Sequence, residues 1–450
     1  METVGRVATS IKLSWGAGAL GVSVLMNAVT LLILFYMVGV LEIEPALAGT
    51  LIFVTKMFDV ISDPVVGLLS DRFSSRIGRR RPFLIPGAII SSLAFVLIFA
   101  TPQFENQVFV SAYIFAALII YTLGYTVFNV PYMAMPAEMT DDYHERSSIH
   151  AYRVVFVTSG SFIAGSIAPW LLEHLGRTEW SSYLVVGLGG GVIILVSMLI
   201  TFFGTGKARY TDSGVSVHSI KREWQAVSRN GFFLRLIGVK ACQLIGVSSS
   251  AAAFFFLVTS ALQLELNAVS YYYAAMTVAS VIAAPIIVRA SKIYGKRNAY
   301  IAIGICYVLV SASWHFTVVG EPLIYILVRG LVTGVALSGN ILLAMSMLTD
   351  TIDYDARKTG VRREGAYTSL YSFTEKVTFA LGPLLVGVAM SLAGFERDIS
   401  SDQMQPEAVT SALLFGTAYI PAGMGIVGIL ILLSYKLDQS ALDAVSKQDQ

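Results

Sequence analysis

Two aspartates, Asp59 and Asp63, stand four residues apart in the apolar run KMFDVISDPVVGLL that begins at Lys56. At helical spacing residues i and i+4 share a face, so both carboxylates point to one place. Ionisable groups gathered inside a membrane helix are costly unless they pair or bind something, which points to a cation site. The alternative is internal satisfaction of each acid by Lys56 or by another helix. A further basic candidate, Lys376, lies far along the chain in SFTEK. Two close carboxylates with a lysine nearby would titrate as one coupled cluster. Either a sodium ion or a proton reduces the repulsion between the acids, and oxygen ligands suit sodium.

The elements that must position these acids follow from composition. Hydrophobic residues make up 55% of the 450 and charged residues only 13%, with a mean hydropathy of +0.70. Such a chain is a polytopic membrane protein. The formal net charge of +2 implies no nucleic-acid partner, and Cys242 and Cys306, both in apolar segments, imply neither a disulfide framework nor a cysteine metal site. Apolar windows predict twelve spans: 13–39, 45–71, 83–101, 109–138, 151–172, 181–205, 232–262, 266–290, 298–317, 322–350, 364–392 and 408–436. The first is expected to be a retained span and not a signal peptide.

Lysine and arginine set the orientation. With both termini inside, only Arg177 and Arg397 fall outside, Lys56, Lys240, Arg329 and Lys376 lie deeper within spans, and the rest of the 31 basic residues are cytoplasmic. The polar stretch 206–231 divides the spans six and six. The organisation expected is therefore a six-helix bundle over 1–205, a cytoplasmic linker, a second bundle over 232–436 and a cytoplasmic tail over 437–450. An internal echo supports the division: MTDDYHERSSIHAYR from Met139 against MLTDTIDYDARKTGVRREGAY from Met347, and RIGRRRPF from Arg76 against KIYGKRNAY from Lys292. Two such halves predict a binding site between them near the bilayer midplane, exposed alternately to either side.

The combination of DVISDP, RIGRRRP, NVPY at Asn129, TDDYHER at Thr140, IDYDARKTGVRREG and SFTEK resembles the glycoside, pentoside and hexuronide cation symporters, the branch of the major facilitator superfamily that includes the melibiose permeases. The resemblance covers nearly the whole chain. It implies an all-α membrane protein of twelve transmembrane helices in two pseudo-symmetric bundles, the major facilitator fold, performing symport of a sugar or glycoside with sodium or a proton. By position it makes Asp59, Asp63 and Thr126 the cation site, and Lys376 the lysine whose charge competes with the cation. Ser62 stands where the melibiose permeases have an asparagine near the cation. Arg153 matches their substrate-site arginine. Where those permeases hold sugar hydroxyls with two acids and an aromatic, this chain has Ser23, Asn129 and Met133. Losing two acids beside a retained arginine favours an anionic sugar, such as a uronide or sulfonated sugar, over a galactoside, because charge-assisted bonds to neutral hydroxyls are gone.

Other polar groups fit supporting roles. Arg76, Arg79, Arg80 and Arg81 with Asp71, and Asp350, Asp353 and Asp355 with Arg362, Arg363 and Glu364, set topology or brace a gate through ion pairs. Tyr121, Tyr125 and Asn340 lie on helices expected to line the cavity, and Tyr271 to Tyr273 suit an interfacial aromatic belt. Gly16, Gly18 and Gly21 point to close helix packing. His144, His150, His174 and His315 lack metal-ligand spacing. No phosphate-binding glycine loop, His-Glu-x-x-His run or Ser, His and Asp arrangement suggests an enzyme. The expectation is a monomeric protein of the bacterial inner membrane, with membrane lipids and a small solute as its partners and no cofactor beyond the coupling ion. Two alternatives stand beside it: a sodium-coupled lysophospholipid transporter, and a non-transporting sensor or scaffold, which would have no reason to bury these charges.

Overall fold

The computed structural model describes residues 7–73, 75–140, 142–208, 227–361, 363–395 and 406–437. Arg362, Arg397, most of the expected linker, the tail from 438 and the side chain of His144 lie outside them. Every regular element in the described residues is helical. The chain divides into two compact units, Met1–Ser216 and Val217–Gln450.

The first unit holds α1 (Thr9–Gly39), α2 (Pro45–Arg72), α3 (Leu84–Phe99), α4 (Gln107–Met139), α5 (Tyr143–Phe162, continued through a π turn Ile163–Ile167 into Ala168–Leu175) and α6 (Trp180–Gly204). The second holds α7 (Gly231–Phe256, ending in a π turn Leu257–Ala261), α8 (Leu266–Tyr294), α9 (Lys296–Ala312), α10 (Leu323–Thr359), α11 (Glu364–Leu392) and α12 (Glu407–Leu414, a π turn Phe415–Tyr419, then Ile420–Ser434). Eleven helical stretches among the described residues are long and apolar enough to cross a membrane. Helix α2 stands apart from these eleven. Its 28 residues reach about 42 Å at 1.5 Å per residue, long enough to span, yet it carries Lys56, Asp59 and Asp63 near its middle. With it the described residues hold twelve helices of spanning length, and the protein is an integral membrane protein.

Local chemistry explains the helix ends. The Asn106 side chain accepts from the Val108 N–H at the start of α4, and Asn230 accepts from the Phe232 and Phe233 N–H groups at the start of α7. Pro45 opens α2, where its missing N–H costs nothing. The π turns in α5 and α12 are each followed two residues on by a proline, Pro169 and Pro421. A proline cannot donate its ladder bond, and a locally widened turn accommodates that loss.

The two units use one packing scheme. In the first, α1 packs on α5 and α6, α3 on α4 and α6, and α2 on α4; in the second, α7 packs on α11 and α12, α9 on α10 and α12, and α8 on α10. Small residues allow the close approaches. A Cβ at Gly18 would strike the Thr201 hydroxyl and one at Gly21 the Ser197 hydroxyl, so these two glycines serve the seam of α1 with α6, while Gly16 abuts Phe156 of α5. Of the three tyrosines expected in an aromatic belt, only Tyr271 is exposed. Tyr272 and Tyr273 are buried, with the Tyr272 hydroxyl 3.1 Å from that of Thr333 and both rings against Phe254. Successive helical residues face different directions, so three adjacent tyrosines cannot share one interface.

Candidate functional site

Helix α2 turns two different faces outward and inward. Ile61, Val65, Leu68 and Leu69 are exposed, as lipid-facing side chains would be, while Asp59, Ser62 and Val66 are buried. Asp59 is 4% exposed. Facing it from α4 is Thr126, fully buried, whose Oγ1 lies 3.1 Å from Asp59 Oδ1 and 3.0 Å from Asp63 Oδ1. The Ser62 hydroxyl is 3.2 Å from that of Thr126 and 3.2 Å from the Asp59 carbonyl oxygen. Pro64 deprives the Val60 carbonyl of its usual helical donor beside the same cluster. One hydroxyl carries one proton and can donate to only one carboxylate at a time. The cluster is thus a set of oxygen ligands of one sign, the kind a hard cation takes. Lys56 lies with its ammonium 5.7 Å from the centre of the Tyr121 ring.

One turn along α4 the site changes character. Asn129 donates from Nδ2 to the Tyr125 hydroxyl at 3.0 Å, and its Oδ1 is buried with no partner. On α5 the Arg153 Nε is likewise buried and unpartnered. Met133, four residues past Asn129, is 38% exposed. An orphaned acceptor and an orphaned donor on neighbouring helices, beside an exposed apolar side chain, are what a polar solute with a C–H face would satisfy.

Ser23 belongs to a different contact. Its hydroxyl donates to the Val157 carbonyl at 2.8 Å and lies 3.2 Å from the Ser161 hydroxyl, while Asn27 donates to it at 3.0 Å. These bonds place Ser23 in the seam between α1 and α5.

In the second unit Lys376 is half-buried on α11, and Asn340 is buried within a network that sequence reading did not anticipate. The Tyr300 hydroxyl donates to Gln243 Oε1 at 2.8 Å, and Gln243 Nε2 donates to Asn340 Oδ1 at 3.1 Å. The Asn340 Nδ2 and the Tyr371 hydroxyl remain buried without partners. Beside them Lys240 pairs with Glu375 at 3.0 Å and lies 5.5 Å over the Tyr371 ring. The available signals were Lys240 and Gln243 three apart on α7, and Tyr371 and Glu375 four apart on α11.

Glu138 was also missed. It is 3% exposed at the end of α4 and holds Arg79 at 2.7 Å and Arg80 at 3.0 Å. Arg80 further pairs with Asp71 and donates to the Ser70 hydroxyl at 2.6 Å. In the second unit Lys296 meets Asp350 at 2.7 Å and Arg363 meets Asp355 at 3.0 Å. Arg329, otherwise an isolated charge in a span, pairs with Glu321 at 2.5 Å over the Trp314 ring. The described histidines sit on aromatic partners: His150 on Trp15, His174 on Trp170 and His315 on Tyr419.

A family model described as MFS/sugar transport protein matches residues 14–439. The putative glycoside/cation symporter YagG of Escherichia coli (strain K12) is 26% identical over 446 residues, covering 97% of this chain and 94% of that protein. The isoprimeverose transporter of Lactiplantibacillus pentosus is 25% identical over 424 residues, covering 92% of this chain and 85% of that one. The solved structure of a nucleoside transporter, NupG, matches with a TM-score of 0.67 over 95% of this chain and 100% of its own, at 13% identity, a likeness of fold.

Proposed function

The chain belongs to the MFS/sugar transport protein family and is a secondary transporter of a small solute, and from that premise we propose that it couples uptake of a glycoside or related sugar to a cation bound by Asp59, Asp63, Thr126 and Ser62. The observation that carries this reading is the single Thr126 hydroxyl within hydrogen-bond distance of both carboxylates. Two like charges drawn to one hydroxyl gain from any cation that enters between them, and sodium or a proton would serve. The distribution of lysine and arginine supports cytoplasmic placement of both termini.

Arg153, Asn129 and Tyr125 form the solute side of the reading, with Met133 against the apolar face of a sugar ring. The unpartnered Arg153 Nε favours a substrate bearing an anionic group, a uronide or a sulfonated sugar. Tyr125, next to Thr126 on α4 and bonded to Asn129 one helical turn on, would link the solute side to the cation side. The names of two relatives, a glycoside/cation symporter and an isoprimeverose transporter, support the sugar class.

The test is thermal stabilisation of the purified protein by neutral glycosides, uronides, sulfonated sugars and lysophospholipids, with and without sodium at two pH values. A ligand that binds the native state raises apparent stability by mass action. Stabilisation by one sugar class, enhanced by sodium or by lower pH, is expected. Neutral glycosides outcompeting anionic ones would reject the anionic preference, and stabilisation by lysophospholipids alone would reject the sugar class while leaving the cation site in place.

A further inference from the structure

The arginines that follow α2 divide into two sets. Arg79 and Arg80 are neutralised by Glu138 and Asp71. Arg76 and Arg81 are not: among the described residues neither they nor Lys207, at the end of α6, forms a salt bridge. These three cations line one concave site of about 370 Å³ together with Gly78 and Gly206, within the size range of small-molecule sites. Gly78 turns the chain there with a left-handed φ of 94°, a conformation that glycine adopts without steric cost.

Arg81 is the floor of the site. It is 8% exposed, its guanidinium lies 4.6 Å over the Phe202 ring, and its Nη2 donates to the Phe202 carbonyl at 2.7 Å. Its Nε is buried with no partner. A guanidinium stays charged at any physiological pH, so this is a buried cation with an unused donor, and leaving such a donor unmade is costly. Gly206 keeps the approach clear, since a Cβ there would come within 3.2 Å of Arg81 Nη2. Arg76 and Lys207 are exposed at the rim.

We propose that Arg76, Arg81 and Lys207 form a phosphate-binding site at the membrane surface. Three cations, one with a buried free N–H, match the charge and acceptor oxygens of a phosphate group. The site lies where α6 ends and α3 begins, at the ends of two membrane-spanning helices. Phe73, Ile77 and Phe203 are exposed around it, an apolar border suited to the first methylenes of acyl chains. The phosphate of an anionic phospholipid and that of a soluble phosphate ester share this chemistry.

Native mass spectrometry of the full chain, titrated with phosphatidylglycerol, tests the lipid source, and thermal stabilisation by glycerol 3-phosphate tests the soluble one. Arg76→Gln and Lys207→Gln remove exposed charges and leave the packing untouched. Each should weaken binding by about fivefold, the usual contribution of one basic residue at an anionic surface, and the double variant by about 25-fold. Arg81→Gln should abolish binding. Losses confined to phosphatidylglycerol assign the site to lipid, and losses confined to glycerol 3-phosphate assign it to a soluble ester. Wild-type affinity for both ligands in the folded Arg76→Gln/Lys207→Gln protein would overturn the proposal.

Discussion

The acid cluster of the first unit and the Lys240 cluster of the second are both buried polar groups on membrane helices, built to opposite electrostatic plans. In the first, Asp59 and Asp63 converge on Thr126 and Ser62, so charges of one sign share one hydroxyl. In the second, Lys240 already meets Glu375, and a chain of amide and phenol groups runs beside the pair through Gln243, Asn340 and Tyr300. On the reading proposed above, a cation entering the first cluster would relieve repulsion between its two acids. One entering the second meets a carboxylate that a lysine already holds. On that reading the first cluster would capture a cation, while the second ties α7 to α11 through Lys240 and Glu375.

The largest effect follows from removing an acid. Even outer partners of metal ligands weaken binding about 10–100-fold when lost, so Asp63→Asn and Asp59→Asn should each reduce cation affinity by on the order of 100-fold and end cation-driven accumulation. Both proteins should still reach the membrane folded. Normal accumulation by either variant would break the comparison at its first term.

The paired cluster should answer in stability. Removing one partner of a fully buried ion pair costs about 3–5 kcal/mol. Glu375 is 39% exposed, so solvent screens the loss, and Glu375→Gln should cost about 1–2 kcal/mol. Lys240→Met in the same protein should recover most of that, since it removes the stranded charge. Thermal denaturation of the single and double variants measures this. A double variant no more stable than Glu375→Gln alone would show that the pair is not acting as a unit.

A smaller change sharpens the first cluster. Thr126→Val keeps the shape and removes the shared hydroxyl, leaving buried carboxylate oxygens short of a donor at a cost of about 1–3 kcal/mol. The apparent affinity for the coupling cation should fall about tenfold, with maximal uptake rate little changed. Unchanged cation affinity would place Thr126 in packing alone and move the cation to the carboxylates and Ser62.

The fold was legible because lipid imposes it: a span needs a long apolar run, and every such run is written locally in the chain. Asp59 and Asp63 were legible for a similar reason, since four residues within one helix fix a shared face before any packing is known. Thr126 entered only through family resemblance, because a threonine in an apolar helix has no local mark of what it faces across 67 positions of sequence. Glu138, Lys240 and Glu375 were missed on the same account. A lone acid at a helix end or a lone lysine within a span reads as topology, and its meaning comes from a partner that tertiary packing supplies, such as Glu375 for Lys240. The buried tyrosines Tyr272 and Tyr273 show the converse error, where local composition suggested an interface that the helical turn does not permit.

Ser23 gives the smallest expected effect and the finest division between packing and binding. Its position by resemblance is that of a sugar-holding acid, yet its hydroxyl spends its proton on the Val157 carbonyl and receives the amide of Asn27. Ser23→Ala removes one donor from the α1–α5 seam and should lower stability by about 1 kcal/mol, the net worth of a typical internal hydrogen bond. Substrate affinity should change less than twofold. Asn129→Leu, made alongside it, should instead weaken the substrate by about tenfold at a stability cost of about 1 kcal/mol, since only the Nδ2 bond to Tyr125 is lost within the protein and the Oδ1 has no protein partner. If Ser23→Ala raises KM as much as Asn129→Leu does, then α1 opens away from α5 during transport and the serine serves both the seam and the solute.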